Sequence, residues 1–256
     1  MLSEKQLREV AGTVSDGNIG HAEKLYIQDI ILSTVSRETS GELVFKGGTA
    51  LKKFYQLDRF SEDLDFTAEE RFRVREFTEK AGRDLSNYGI KVVEKKEEDS
   101  RGGFRVRLGL EGPLYQGNRR SMCFIRLDFN KDSKVHQVTE KRYVPGFPDI
   151  NAFTVPVMSE KEILAEKIRA VCTRETPRDL YDIYHLEKKG VKTGIDMVEK
   201  KLDYYGKDYS PGMVLKKAGN LEKGWETVET LVYTGLPDFR SAMKSLKKVL
   251  DGLEQN

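Results

Sequence analysis

The sequence predicts an α+β protein, with a domain of mixed helices and strands over residues 1–150 and a helical domain over 151–256. Three observations predict it. IKVVEKKE, GFRVRLGLEG and SMCFIRLDFN alternate apolar and polar residues with the period of a strand. Helical spacing precedes and separates the strand-like runs of the first half. Beyond VPGFPDINAFTVP, whose prolines and glycine mark a boundary, the strand pattern stops and helix start signals take over.

Taken in order, Ser3 with Gln6 forms a capping box that opens a short helix. HAEKLYIQDIILSTVSRE then places Ile27, Ile30, Ile31 and Val35 on one helical stripe. Leu43, Val44 and Phe45 follow Gly41 as a buried strand, Thr49 to Leu57 is a helix, and Leu64 to Phe66 is a second strand. A helix spans about 71 to 88. Three antiparallel strands come next, joined by polar turns at 99–103 and 111–120. In the second half Ser159 caps EKEILAEKIRAVCTR, Pro177 starts RDLYDIYHLEKKG, and further helices fill 193–254.

A chain of 256 residues, 38% hydrophobic, is long enough for one good core and a smaller second one. Charged residues reach 34%, yet the net charge is only +2, which excludes a general nucleic-acid coat and leaves local basic patches. Arg101, Arg105, Arg107, Arg119 and Arg120 form one such patch, and Arg105 and Arg107 share a strand face. That face is either a contact for an RNA backbone or a solvated sheet surface. The two cysteines, Cys123 and Cys172, lie in no CxxC motif, which argues against a disulfide framework or zinc site and fits a reducing cytosol. MLSEKQLREV lacks the apolar core of a signal peptide, and no run approaches the roughly 18 apolar residues of a membrane span. The expectation is a soluble cytoplasmic protein with no membrane partner.

The chemistry concentrates in FKGGTALKKFYQLDRFSEDLDF, residues 45–66. Asp63 and Asp65, two apart on a strand, project to the same side and repel unless a cation lies between them. Hard carboxylate oxygens suit magnesium, which commonly binds through one or two carboxylates plus substrate phosphates. Gly47 and Gly48 allow a tight turn and close backbone approach, and Thr49 falls where a helix N-cap would stand beside free amides that favour an anion. A metal-assisted phosphoryl-transfer site usually needs a further carboxylate. Asp128, ending the apolar run CFIRLDFN, is the candidate, with a turn residue near Asn130 as the other reading; Asp132 is the weaker choice. In the helical half, Lys167 lies near the edge of the face formed by Ile163, Leu164 and Ile168. Asp179 and Asp182 of TPRDLYDIYHL share a helix face, with Leu180, Ile183 and Leu186 turned inward. Arg178 with Asp179 is open to a second reading as a helix-start salt bridge and cap.

FKGGTALKKFY, RFSEDLDF, EILAEKIRA and PRDLYDIYHL together resemble the AbiEii/AbiGii-type nucleotidyltransferases, toxins of toxin–antitoxin or phage-defence pairs that include the mycobacterial MenT proteins. The likeness runs from about residue 22 to 190. It implies a DNA polymerase β-type nucleotidyltransferase domain with a mixed β-sheet, followed by a helical domain that contributes to the active-site cleft. Lys46, Gly47, Gly48, Thr49, Ser61, Arg178 and Asp179 would bind the nucleotide. Ser61, Asp63 and Asp65 would form the metal motif, with Asp128 as the superfamily's third carboxylate. Lys167 would match the family's third motif, and Asp179 or Asp182 its C-terminal aspartate, with Asp182 taken as catalytic. The implied substrates are an NTP and an RNA acceptor, notably the 3′ end of tRNA, with Mg2+ or Mn2+ as cofactor and an antitoxin protein as partner. Two other classes compete: a non-catalytic regulator that binds nucleotide or RNA, and a nucleotidyltransferase acting on a protein or small molecule. Intact Asp63 and Asp65 count against the regulator.

Overall fold

The computed structural model describes residues 1–100, 102–131 and 134–253, so Arg101 and Asp132 lie outside the described residues. The chain forms two compact units. One comprises Met1–Phe54 and Phe60–Val157, the other Tyr55–Arg59 and the chain from Met158 onward.

In the first unit α1 (Glu4–Val14) opens with the Ser3–Gln6 capping box expected of it. α2 (Ile19–Glu38) buries every residue from Leu25 to Val35, where the sequence suggested a single stripe. Such a helix is apolar on nearly all sides, and its interior polar groups need partners. Asp29 receives Lys53 Nζ at 2.6 Å, with both side chains about 1% exposed.

The strands are β1 (Leu43–Lys46), β2 (Leu64–Ala68), β3 (Lys91–Ser100), β4 (Gly103–Glu111), β5 (Cys123–Asn130), β6 (Val138–Tyr143) and β7 (Phe153–Met158). They form one mixed sheet in the order β3-β4-β5-β2-β1-β7-β6. The β3–β4 and β4–β5 pairs are antiparallel, as their alternation predicts, whereas β2 runs parallel to β5. β3 continues to Ser100, so the polar turn expected at 99–103 is shorter than its composition suggests. α3 (Gly47–Phe54) follows β1, and α4 (Val74–Asn87) packs with α2 behind the sheet.

β6 and β7 were not legible in the sequence. Prolines at 145, 148 and 156 suggested a boundary there, and Pro156 cannot donate to a ladder. β7 nonetheless lies parallel to β1, with Phe45 opposite Val157, and buries Val155 and Val157 completely. The sheet therefore extends past residue 150, the boundary suggested by composition.

Register determines what each face of the sheet carries. Phe45 of β1 is opposite Phe66 of β2, which is opposite Phe129 of β5. The rings pack in a buried row, with centroids 5.3 and 5.4 Å apart. Burying each ring is worth about 1.5–3 kcal/mol. Because successive strand residues alternate sides, the row one position over must project to the other face. That row is Lys46, Asp65 and Asp128.

The second unit contains α5 (Glu160–Thr173), α6 (Pro177–Lys188), α7 (Ile195–Asp203), α8 (Pro211–Gly219) and α9 (Phe239–Leu253), with a 3₁₀ stretch at Glu222–Leu231. Ser159 caps α5 by accepting from the Glu162 amide, and Pro177 occupies the first turn of α6. Leu180, Ile183 and Leu186 are fully buried, as their spacing predicts.

Candidate active site

Gly47 joins β1 to α3 with φ of +78°, a left-handed conformation that L side chains rarely adopt. A Cβ placed there would also run into the Asp65 carboxylate. We expect Gly47→Ala to cost about 1–2 kcal/mol in thermal unfolding and to lower transfer by displacing Asp65.

α3 begins at Gly47, so Thr49 sits inside its first turn and is not the N-cap. The expected helix start moves because Gly47 already makes the turn. Thr49 is instead a clamp. Its hydroxyl donates to the Asp63 carbonyl at 2.5 Å and lies 2.9 Å from Ser61 Oγ. From the other side Gln28 Nε2 donates to the carbonyls of Ser61 and Glu62, each at 3.0 Å. Loop 61–63 is thus held by one residue from α3 and one from α2. The role of Gln28 was not legible, since a glutamine inside a helical run carries no signal of its own.

Asp63 immediately precedes β2, while Asp65 and Asp128 are direct partners on adjacent parallel strands. Their backbones are therefore about 4.8 Å apart. Arg105 of β4 is opposite Asp128 on the far side and donates to it from Nε at 2.6 Å. That ion pair raises the Arg105 guanidinium above its ordinary value, chiefly through the hydrogen bond to Asp128. Arg126, two residues before Asp128 on β5, donates from Nη2 to Asp63. Its Nε lies 3.0 Å from Asp128 Oδ2, at an angle that makes an ion contact and not a hydrogen bond. Of the other arginines in the patch, Arg107 lies over the Phe124 ring at 4.4 Å, and Arg119 pairs with Glu94.

As the side chains stand, no group of three His, Cys, Asp or Glu among the described residues is gathered closely enough to hold a metal. The donor chemistry nevertheless fits a hard divalent cation. Asp63, Asp65 and Asp128 offer carboxylate oxygens, and the cationic Arg126 already bridges Asp63 and Asp128.

The remaining expected site residues lie in the second unit. Lys167 of α5 is 6% exposed, not a solvated helix lysine. Its Nζ is 2.8 Å from Asp179 Oδ1 and 2.6 Å from Asp182 Oδ2. Arg59 grips Asp182 with two bonds of 2.7 Å, and Arg174 grips Asp179 with bonds of 2.7 and 2.9 Å. The result is a continuous chain of charges: Arg59, Asp182, Lys167, Asp179, Arg174. One of the two readings paired Asp179 with Arg178 as a helix-start salt bridge, but Arg178 takes no part in this chain. Arg174, at the C-terminal cap of α5, forks onto the carboxylate instead. Arg59 was missed although it lies in the stretch RFSEDLDF, because a lone arginine beside an acidic motif reads as surface charge.

Both aspartates are fully buried. Burial alone would raise the Asp179 carboxyl, but the Lys167 ammonium and the Arg174 guanidinium outweigh it and hold it well below the usual carboxylate range. Asp182 is likewise lowered, its burial outweighed by Arg59 and Lys167. A depressed folded pKa means stability that is complete above the unfolded value, near 4, and is lost as pH falls through the folded value. Melting temperature should therefore drop progressively below about pH 4. In Asp179→Asn, which starts less stable at neutral pH, that drop should be shallower.

Over residues 30–249 the chain matches the family described as nucleotidyl transferase AbiEii toxin, type IV toxin–antitoxin system. The protein belongs to this family. It is a nucleotidyltransferase, and the match extends beyond the motifs into α9. Among solved structures this AbiEii-family chain resembles MenT4, a nucleotidyltransferase toxin from Mycobacterium tuberculosis. That likeness has a TM-score of 0.65 at 18% identity over 100% of this chain and 91% of that one. JHP933 from Helicobacter pylori gives 0.58 at 18% identity, over 90% of this chain and 91% of the other. Similarity at that identity shows a shared α+β fold. No curated protein sequence matches the chain. Among the described residues no helix is long and apolar enough to cross a membrane, and Cys123 and Cys172 are both buried and free.

Proposed function

We propose that this AbiEii-family enzyme transfers a nucleoside monophosphate from an NTP to the 3′ end of an RNA, with tRNA as the acceptor. It would act in the cytoplasm with Mg2+ or Mn2+, as the toxin of a phage-defence pair restrained by a cognate antitoxin protein. The observation that carries the reading is the row Lys46–Asp65–Asp128, with Asp63 alongside, set beside the amino end of α3 at Gly47.

Each residue has a task in this scheme. The opening amides of α3 and the close approach allowed by Gly47 and Gly48 receive triphosphate oxygens, with Lys46 supplying positive charge. Ser61 and Thr49 hold the loop that presents Asp63. A divalent ion held by Asp63, Asp65 and Asp128 would neutralise the triphosphate and polarise its α-phosphorus. Asp128 accepts the proton of the acceptor hydroxyl as that oxygen bonds to the α-phosphorus. The bond from the α-phosphorus to the bridging oxygen breaks, and pyrophosphate leaves with that electron pair. Asp182, without exposed surface, acts as a positioning residue that keeps Lys167 and Arg59 in place; Asp179 does the same for Lys167 and Arg174.

The test is incubation of the protein with each α-labelled NTP, Mg2+ and either total RNA or total protein. Label on the 3′ end of RNA, released pyrophosphate and loss of both on chelation are the expected results. Label on protein would move the acceptor class. Label on neither would overturn the proposal.

A further inference from the structure

Arg126 stands where a cation shared by Asp63 and Asp128 would stand. Its guanidinium touches both carboxylates, and its side chain is 40% exposed, against 17% for Asp63 and 24% for Asp128. It projects from the same face of β5 as Asp128 because the two are separated by one residue. Directly opposite on β4 is Arg107, exposed and lying over Phe124.

A guanidinium cannot leave such a position by deprotonation, since it stays charged at any working pH. It also cannot share the position with a divalent ion, because like charges at contact distance repel strongly. The half-buried side chain has solvent on one side and rotatable bonds enough to swing out. Asp128 would not lose its counter-charge in that event, because Arg105 holds its other oxygen.

We propose that Arg126 is an exchangeable counter-ion of the metal carboxylates. It keeps Asp63 and Asp128 assembled in the empty enzyme. A divalent cation displaces it, and the freed guanidinium joins Arg107 to bind a substrate phosphate. Two adjacent guanidinium forks suit phosphate oxygens, whether those of the triphosphate or of the acceptor backbone. This assignment rests on the metal-dependent reading of the site given above.

The experiment is titration of Mn2+ into the nucleotide-free protein, followed by electron paramagnetic resonance. Arg126→Gln should bind Mn2+ several-fold more tightly than the unaltered protein, because the competing charge is gone. Arg126→Lys should lie between them. With Mn2+ saturating, Arg126→Gln should then bind either an α,β-methylene NTP or a 5′-labelled single-stranded RNA several-fold more weakly. Whichever probe weakens identifies the phosphate that Arg126 takes. Unchanged or weaker Mn2+ binding by a folded Arg126→Gln overturns the exchange, and unchanged binding of both probes overturns the phosphate role. If Mn2+ binding is lost in Asp65→Asn but not tightened in Arg126→Gln, only the counter-ion assignment fails. If no variant binds Mn2+, the metal reading fails with it.

Discussion

Asp65→Asn is expected to abolish nucleotidyl transfer while the protein stays folded. The substitution keeps the shape of the side chain, and Asp65 is half-buried on the polar face, outside the Phe45–Phe66–Phe129 row that holds the strands together. Its charge is what changes, and an amide is a poor ligand for a divalent ion. Loss of at least about a hundredfold is expected, the scale reached even by groups that only support metal ligands. Asp63→Ala should lose activity to the same degree. It should also lower the melting temperature slightly, because Arg126 loses one of its two carboxylates. Calorimetry and a single-turnover assay on the purified variants check both statements. Transfer retained in both would remove the metal site from this pair.

Arg59→Met is expected to unfold or badly weaken the second unit. Arg59 is 1% exposed and forks onto Asp182, which is 0% exposed. Removing it leaves a buried carboxylate with only Lys167, which Asp179 already shares. Breaking a buried pair from one side costs about 3–5 kcal/mol. For a chain of this size that is a melting shift on the order of 10 °C. Lys167→Ala falls under the same rule. The apolar face of its helix is untouched, but two buried aspartates lose their common cation. The double variant Arg59→Met/Asp182→Leu should recover part of the loss, because the uncompensated charge is gone. Thermal melts of the three variants decide the matter. A single Arg59→Met that melts like the unaltered protein would show that the charge chain contributes nothing to the fold.

Local patterns established a large part of this molecule. The Ser3–Gln6 capping box, the Ser159 cap, the start of α6 at Pro177 and the antiparallel run β3–β4–β5 depend on neighbours within a few residues. They were legible for that reason. The motif stretch was legible too, since Gly-Gly before a helix and two aspartates one residue apart state their geometry directly. β6 and β7 were not, because β7 pairs with the distant β1 and the prolines at 145, 148 and 156 imitate a linker. Tertiary structure alone could put Asp128 beside Asp65, since 62 intervening residues separate the two aspartates, whose strands pair in parallel. It alone could turn Arg126 and Arg105 onto those carboxylates, and Arg59 and Arg174 onto Asp182 and Asp179. The alternation of a strand says which face a charge occupies. Which opposite charge meets it there depends on strand order and register, set by burial of the row Phe45–Phe66–Phe129 on the other side of the sheet.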